Sequence, residues 1–472
     1  GPAGGRGSGG VLRKPGTTVL STPGVAGTGA GGLNKVPWFS PGSIMCDWSG
    51  VICCNETYSV ASVTPLLPQV NGTLSTAGAG FVRLQNVSQI EAWGLEPCSH
   101  GLIAGLDVAA SGLTGTLPAE PFRALAPTLQ LFFGYNNDLR GPLPDAFQEM
   151  DRLEILLLNG NAFVGNLPLL PRSLRTISLA RNQLSGSVPY DNYASLTSIE
   201  SMDLSFNSLT GEVTRRIAMP CGGRGLPRCE EGSPAQFLNT GFFYNYSSLA
   251  NLNLMANNFS GPIPSLVALA SGMLGNFQTS DLDDPEDWDL RRLSAPTRID
   301  LDFSSNLFSG SLPAIPAEEE QLLRAVFSSR LRTLNMANNR ISGELPAWVG
   351  AMDGLELLNF ENNRLSGAIP STLNASMYRQ TEMRFGMNQY LSSIDFDALQ
   401  GIDGLSKLQL SLTRVNTTLP KTLSLRWRPL LDFRFTNMVW TGGENSRGEN
   451  LPEVSSPQLP RPSPPAPPPP LH

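Results

Sequence analysis

The sequence predicts an α/β solenoid, in which repeated units stack their short parallel β-strands side by side. Three observations lead to this fold class. The stretch Leu153–Pro168 recurs as a pattern along the 472-residue chain. Asparagines recur within the pattern at successive spacings of 24, 21, 25, 50, 49, 33, 24 and 25 residues. Gly 47 and Pro 39 supply the many turns that a repeated unit requires.

The repeated unit predicts its own local structure. In Leu153–Pro168, Leu156 and Leu158 are two residues apart, which is the spacing of a short strand with one buried face. The asparagine at the following turn, Asn161, can hydrogen-bond neighbouring backbone and form a ladder in which each bond contributes about 1 kcal/mol. Gly165 and the closing proline shape the return path. No unit buries its apolar side alone, so stability requires the stack and capped ends.

The same pattern accounts for most of the chain. It fits 174–189, 249–264, 331–346 and 355–370. Its turn positions are Ser111, Asn137, Asn161, Asn182, Asn207, Asn257, Asn306, Asn339, Asn363, Asn388 and Thr413.

The units resemble leucine-rich repeats of the plant-type extracellular class, whose pattern reads L-x-x-L-x-L-x-x-N-x-L-x-G-x-I-P. The resemblance covers about residues 38–442. Trp38 and the stretch Cys46–Cys53 resemble the amino-terminal cap of that class, C-x-W-x-G-V-x-C. The resemblance implies a superhelix with its parallel strands on the concave face, about 11–12 repeats and a disulfide-bonded N-terminal cap.

Composition divides the chain into regions. Residues 1–35 hold twelve glycines and four basic residues with no acid, which predicts a flexible arm. Inside the solenoid, the two double spacings mark insertions at 215–248 and 265–298. Each is a loop or a decayed repeat, and a loop is favoured because the apolar template does not fit. The regions are the Gly-rich arm (1–35), the cap with a degenerate first repeat (36–101), the solenoid (102–442) and a Pro-rich tail (443–472).

Six cysteines suggest an oxidising compartment. The resemblance favours a disulfide bond between Cys46 and Cys53. Cys54 would then pair with Cys98, and Cys221 would pair with Cys229 to close a local loop. Zinc binding by the four cysteines near the cap is a weaker alternative.

Seven N-x-S/T sequons support an extracellular, secreted or cell-surface location, with an intracellular one as the alternative. Asn258 lies beside the ladder, which makes it a poor acceptor by position. The sequons are at Asn55, Asn71, Asn86, Asn245, Asn258, Asn374 and Asn416.

Composition also argues against several functions. With Lys+Arg 33 against Asp+Glu 40 there is no overall basic field, so neither nucleic acid nor an anionic membrane is a favoured partner. No apolar run is long enough to span a membrane. The chain has only two histidines, His100 and His472, so the one candidate catalytic pair is Cys98 with His100. We therefore predict that the chain is not an enzyme and needs no cofactor. The acidic cluster at 281–289 is interpreted as part of a solvated loop rather than as a calcium site.

The outward positions of the predicted strands form the expected binding surface. Its early end is apolar, and an exposed apolar patch needs either a partner or a covering segment such as the amino-terminal arm. A polar run follows and ends at basic residues, which suits an extended peptide or glycan. The expected binding residues are Leu131, Phe133, Tyr135, Leu157, Asp203, Asn253, Asp302, Asn335, Asn359, Arg384 and Arg434.

Two functions are compatible with these features. The first is a non-enzymatic extracellular recognition module that binds a secreted protein, peptide or cell-surface glycan through the concave face, as the resemblance implies. The second is a structural component of an extracellular matrix, cell wall or surface appendage. In that case the repeats are assembly surfaces, the Pro-rich tail is glycosylated, and extracellular hydroxyproline-rich glycoproteins are partners.

Overall fold

The computed structural model describes residues 51–53, 103–219, 236–274, 298–373 except 314, 316 and 329, 381–395, 405–419 except 417, and 431–432, 434, 436, 439–440 and 454–455.

One long sheet, which we call the main sheet, runs through the described residues. Twelve of its 13 strands are parallel, and we number their repeats 1 to 12 in chain order. The remaining strand, Val51–Cys53, pairs antiparallel with repeat 1 and covers that edge of the sheet. The strands of repeats 1 to 12 are Ile103–Asp107, Leu131–Phe133, Ile155–Leu157, Thr176–Ser178, Ser201–Asp203, Asn251–Asn253, Ile299–Asp302, Leu331–Asn335, Leu357–Asn359, Thr381–Arg384, Leu405–Gln409 and Leu431–Asp432. The predicted parallel solenoid is confirmed.

A second parallel sheet, which the repeat pattern did not predict, lies after the asparagine turns. Nine of its ten strands contain a deeply buried apolar residue, such as Phe163 or Phe259, both 0% exposed. The template glycine ends or interrupts the strand in a left-handed conformation, as at Gly165 (φ 86°), where a side chain would be strained. Its ten strands are Thr114–Thr116, Asp138–Gly141, Ala162–Gly165, Gln183–Gly186, Ser208–Glu212, Asn258–Pro262, Leu307–Ser311, Arg340–Glu344, Arg364–Ile369 and Tyr390–Ile394.

Short helices complete several repeats. A template proline precedes two of the α-helices and both 3₁₀ helices, in keeping with its missing N–H at a helix start. The α-helices are α1 (Ala119–Leu125), α2 (Tyr190–Ala194), α3 (Leu266–Leu274) and α4 (Ala317–Phe327); the 3₁₀ helices are Asp145–Glu149 and Ala347–Ala351. Their apolar residues join a core that runs from repeat 1 to repeat 11.

The strands on either side of each long insertion pair directly with each other. Ser201 pairs with Asn251 across the first span, and Asn251 pairs with Asp300 across the second. The first span includes an antiparallel hairpin of Thr214–Met219 and Gln236–Gly241. Near the carboxyl end, Thr418–Leu419, Val439–Trp440 and Val454–Ser455 form a three-stranded sheet, so strand structure extends into the region predicted as the Pro-rich tail.

The asparagine ladder is present as predicted. Asn257 shows its geometry: Nδ2 donates to the carbonyl of Leu254 in its own repeat (3.2 Å) and to that of Leu204 in the preceding repeat (3.0 Å). Its Oδ1 accepts from the backbone N–H of Leu209 (3.0 Å), also in the preceding repeat. One side chain therefore joins two repeats at three points.

The residue before each ladder position is left-handed. Among the non-glycine examples φ lies between 49° and 60°, including bulky residues such as Phe206 and Leu412. This conformation costs about 1–2 kcal/mol per residue. It directs the N–H of Phe206 to the carbonyl of Met255 in the next repeat (2.9 Å), so the turn extends the main-sheet hydrogen bonds beyond the strands.

We expect Asn257→Ala to lower the free energy of unfolding by about 3 kcal/mol or more. The substitution leaves two carbonyls and one N–H without partners in a buried site, and each unsatisfied group costs about 1–3 kcal/mol. Urea unfolding followed by circular dichroism measures the effect. Asn258→Ala is the matched control, since the neighbouring Asn258 is exposed and its loss should change stability by less than about 0.5 kcal/mol. Equal losses in the two variants would contradict the ladder's role.

Candidate functional site

The candidate site is the concave face, formed by main-sheet side chains that point away from the core. Alternation along each strand places them opposite core residues such as Leu156 and Met202, both 0% exposed. Two columns of aligned residues result. The first contains Leu131, Ile155, Thr176, Ser201, Asn251, Asp300, Thr333, Leu357, Glu382 and Lys407. The second contains Asp107, Phe133, Leu157, Ser178, Asp203, Asn253, Asp302, Asn335, Asn359, Arg384, Gln409 and Asp432.

The apolar end of this face is buried. Leu131, Phe133, Tyr135 and Leu157 are 5%, 1%, 8% and 3% exposed. The expectation of an exposed apolar patch is therefore wrong. Strand alternation shows on which side of the sheet a side chain lies, but it does not show what lies over that side. Of the two interpretations of the sequence, a patch covered within the chain agrees with these exposures.

The Asp and Asn residues of the second column have a structural role that the sequence did not predict. In each, a side-chain oxygen accepts a hydrogen bond from the backbone N–H two residues later, which makes an Asx turn at the end of the strand. The bonds run from Ser205 to Asp203 (3.0 Å), Met255 to Asn253 (3.1 Å), Ser304 to Asp302 (2.9 Å), Ala337 to Asn335 (3.2 Å) and Glu361 to Asn359 (3.0 Å). These side chains are thus held in place by their own backbone.

Asp302 is the centre of a hydrogen-bonded group in repeats 7 and 8. Its Oδ1 accepts from the hydroxyl of Ser304 (2.6 Å), and its Oδ2 accepts from Nδ2 of Asn335 (2.9 Å). Burial raises the pKa of Asp302, and these hydrogen bonds oppose the rise because they stabilise the carboxylate. Both carboxylate oxygens are therefore engaged.

Asp203, two repeats earlier, has the same turn but lacks the second group of bonds. The residue is 0% exposed, and no hydrogen-bond donor reaches its Oδ2. Burial raises the pKa of Asp203 to about 6; Asp302 adds to the rise, while hydrogen bonding to Ser205 and the charge of Arg181 oppose it. The carboxyl group of Asp203 therefore lies buried on the concave face, and one of its two oxygens accepts no hydrogen bond.

The far end of the face is partly accessible and mixed in charge. Asn251, Asp300, Leu357, Lys407 and Gln409 are all of intermediate exposure. Arg384 forms an ion pair with Glu382 in its own strand, and Nε2 of Gln409 donates to Glu361 (2.9 Å).

Arg434 does not occupy the position that the sequence predicted. Gln409 pairs with Asp432, which places Asp432 in the second column and Arg434 two residues beyond it. Arg434 is exposed, and its Nε donates to Asp432 (2.9 Å), which lowers the pKa of that carboxyl. The apolar pattern of this repeat is too degenerate to predict the strand register from sequence. The register is instead seen in the pairing of the two strands.

Three sequons have described side chains. Asn258 and Asn416 are exposed, and Asn245 is of intermediate exposure. The doubt raised about Asn258 is not supported, because alternation along the second sheet turns this side chain outward while Phe259 enters the core. Asn55, Asn71, Asn86 and Asn374 lie outside the described residues.

Other predicted sites also fall outside the described side chains. They include all six cysteines, so the cap pairing stays a prediction, as well as the Cys98–His100 pair and the acidic cluster at 281–289. In the part of the chain that is described, no three Cys, His, Asp or Glu side chains are grouped as metal ligands. No helix there has the length and apolar character needed to cross a membrane.

A polar groove at one edge of the main sheet was not anticipated. It has a volume of about 810 Å³, and its lining includes Glu154, Arg175, Glu200, Thr197 and Asn245. The charged members directly precede successive strands, and Nε of Arg175 donates to Glu200 (3.0 Å). In the repeat pattern, these charged residues all occupy the position directly before the strand. A comparison of that position across repeats could therefore have revealed the row of charges from sequence.

Comparisons with known proteins agree with this architecture. The Leucine Rich Repeat family model matches residues 330–352 and 354–375. The chain is therefore similar to that family over these residues, and its two stacked parallel sheets have the leucine-rich repeat fold.

Receptor-like proteins are among its relatives. Receptor-like protein EIX2 of Solanum lycopersicum is 31% identical over 108 residues, which are 23% of this chain and 10% of that protein. Receptor-like protein 47 of Arabidopsis thaliana is 27% identical over 199 residues, 41% of this chain and 22% of that protein. The crystal structure of a TDR receptor has the same fold, with a TM-score of 0.50 at 20% identity over 71% of this chain and 51% of that one. The chain thus matches less than a quarter of the length of these two sequence relatives.

Asp107 provides a test of electrostatics at the first repeat. Its Oδ1 accepts from the backbone of Ala109 (3.0 Å), and burial raises its pKa to about 6. A carboxyl whose folded pKa lies above the unfolded value favours folding most at low pH, and this advantage is lost as pH rises from about 4 to about 6.

We therefore expect Asp107→Asn to be more stable than the parent chain at pH 7.5, by up to about 3 kcal/mol, with the difference vanishing near pH 4. The asparagine keeps an acceptor for Ala109 and removes the charge. Urea unfolding at both pH values is the measurement. Asp138→Asn, at an exposed position of the second sheet, is the control. A stabilisation independent of pH would mean that the charge of Asp107 is not the cause.

Proposed function

We propose that this chain is an extracellular recognition module that binds an extended peptide or a segment of a secreted protein. The observation that carries the proposal is the polar stretch of the concave face from repeat 6 to repeat 11. Asn253, Thr333 and Asn359 are buried there, and the other polar side chains of the two columns are of intermediate exposure. It combines amide, acidic and basic side chains in adjacent strands, and several are held in place by hydrogen bonds to their own backbone. Such pre-organisation reduces the entropy lost on binding.

The shape of the surface favours an extended ligand over a small molecule. The six strands from repeat 6 to repeat 11, spaced about 4.8 Å apart, extend over about 24 Å. Seven or eight residues of an extended chain cover this distance at about 3.3 Å each. The receptor-like relatives support a recognition role.

A peptide-display screen tests the proposal. Peptides selected on the parent chain should bind at least tenfold more weakly to a variant with Asn251→Ala, Arg384→Ala and Gln409→Ala, because charge and amide contacts are lost together. The control carries Arg340→Ala and Arg364→Ala, two exposed positions of the second sheet. Failure to select any peptide, or equal loss with the control, would contradict binding through the concave face.

Extracellular location has its own test. When the chain passes through a secretory pathway, we expect N-glycans at Asn245 and at the exposed Asn258 and Asn416, in addition to the sequence-based expectation at Asn55, Asn71 and Asn374. Treatment with an N-glycan amidase in ¹⁸O water converts each occupied asparagine to labelled aspartate, which peptide mass spectrometry identifies. Absence of label at all six positions would favour the intracellular alternative.

The structural alternative rests on the Pro-rich tail, which has ten prolines between Leu451 and His472. A matrix or wall component would associate with hydroxyproline-rich glycoproteins through that tail. Retention of the chain on a column of such glycoproteins, lost on removal of residues 456–472 and unaffected by the concave-face variant, would favour this role over recognition.

A further inference from the structure

The polar groove at the edge of the main sheet extends across five repeats. It follows the segments that lead into the strands of repeats 2 to 6, from Gln130 to Ser248, and has a volume of about 810 Å³. Adjacent strands lie about 4.8 Å apart, so five of them extend over about 19 Å. Clefts of about 300–1,000 Å³ hold organic ligands of several rings. The groove is therefore large enough for a ligand made of linked rings.

The charged side chains of the groove nearly balance one another. The acids are Asp151, Glu154 and Glu200, and the bases are Arg152 and Arg175. One acid and one base are paired directly, since Nε of Arg175 donates to Glu200 (3.0 Å). A groove with so little net charge does not select an ion of either sign, so its occupant should be polar and uncharged.

Hydroxyl groups make up much of the remaining lining. Among the described residues, the side-chain hydroxyls of Thr197, Ser198 and Ser248 have no hydrogen-bond partner. Each of them can donate one hydrogen bond and accept two, and sugar hydroxyls have the same capacity. The combination of free hydroxyls with balanced charges therefore matches the chemistry of a neutral carbohydrate.

One end of the groove carries an acceptor for a glycan. Asn245 begins the sequon Asn245-Tyr246-Ser247 and lines the groove. The side chain is of intermediate exposure and has no hydrogen-bond partner within the described part of the chain. Asn258 and Asn416, the other sequons with described side chains, are exposed and do not line it. A sugar on Asn245 would thus begin inside the groove.

The turn that carries Asn245 is held on two sides. Tyr246 is 0% exposed, and its hydroxyl donates to the carbonyl of Tyr193 (2.7 Å). On the other side α3 packs closely, because a Cβ added at Gly272 would lie 1.7 Å from the carbonyl oxygen of Tyr244. The position of the acceptor is therefore fixed, which reduces the entropy that an attached sugar loses when it lies down in the groove.

We propose that the groove binds carbohydrate and that its occupant is the chain's own N-glycan, attached at Asn245. In the transfer, Nδ2 loses a proton and bonds to the anomeric carbon of the first sugar, while the lipid diphosphate of the donor oligosaccharide leaves. Transfer precedes folding, so the partial burial of Asn245 does not prevent it. The inner sugars then lie along Ser248 and Ser198. This inference rests on the proposed extracellular location.

A second cavity beside Asn245 is the competing place for the glycan. It has a volume of about 570 Å³, and its lining includes Tyr190, Asp191 and Arg215. The guanidinium of Arg215 lies over the ring of Tyr190 (4.3 Å to the ring centre) and forms an ion pair with Asp191. These side chains engage one another, whereas the groove offers hydroxyls without protein partners, so the groove is favoured.

The first test removes the glycan from a chain made through a secretory pathway. Asn245→Gln and, separately, Ser247→Ala should each lower Tm by at least about 3 °C, because the sugar loses its contacts with the groove. Asn258→Gln and Asn416→Gln remove exposed sequons elsewhere, so each should change Tm by less than about 1 °C. In chains made without glycosylation, Asn245→Gln should have no such effect, which separates the sugar from the side chain.

The second test locates the glycan. One variant carries Asp151→Ala and Ser198→Ala in the groove, and its matched control carries Asp191→Ala and Arg215→Ala in the second cavity; all four positions are exposed. The loss of Tm caused by Ser247→Ala is measured in both backgrounds. We expect it to fall by at least half in the groove variant and to stay unchanged in the control. The reverse pattern would overturn the proposal.

Peptide mass spectrometry of the same secreted chain separates this inference from the location on which it rests. Sugars at Asn258 and Asn416 with none at Asn245 would overturn the inference and leave the extracellular location standing. Absence of sugar at every sequon would count against both. A glycan at Asn245 whose removal leaves Tm unchanged would overturn the inference alone.

Discussion

The stack depends on the ladder asparagines, one in each repeat from 2 to 10. Each ladder asparagine bonds to backbone of its own repeat and of the preceding one, as Asn306 does with Phe303 on one side and with Leu254 and Phe259 on the other. The left-handed residue before it is unfavourable in isolation, and it is retained because it brings the next repeat's carbonyl into reach. Neither feature is stable in a single repeat, so the ladder makes the folding of neighbouring repeats interdependent.

The same constraint explains why long insertions do not interrupt the solenoid. The bond from Phe259 to Asn306 spans 47 residues of chain, whereas the equivalent bond from Leu184 to Asn207 spans 23, with distances of 3.1 and 3.0 Å. The ladder fixes only the turn and the strands beside it, and the chain between successive units is free to lengthen. Loop closure adds less than about 1 kcal/mol for each doubling of length, so the insertions cost little stability.

The sequence predicted features whose cause is local. Leu156, Leu158 and Asn161 reveal a buried strand and a bonded turn because their spacing is set by backbone geometry alone. The second sheet escaped prediction since a strand with one core residue, such as Phe163, has no alternation to detect. Burial of Phe133 and Leu157 was not predictable either, because strand alternation does not show what lies over the sheet. The position of Arg434 depends on strand register, which a degenerate repeat does not encode.

The polar residues of the concave face show why composition alone does not define a binding site. Asp or Asn recurs in the second column because its side-chain oxygen completes the turn that ends each strand, a requirement of the fold rather than of a ligand. What distinguishes the positions is the part of each side chain that the turn does not use. At Asp302 that part bonds to Asn335, at Asp203 it has no partner, and at Asn253 and Asn359 an amide group is left over. Specificity along this face therefore resides in which atoms the neighbouring repeat leaves unpaired, and each substitution in one strand changes what the next strand can offer.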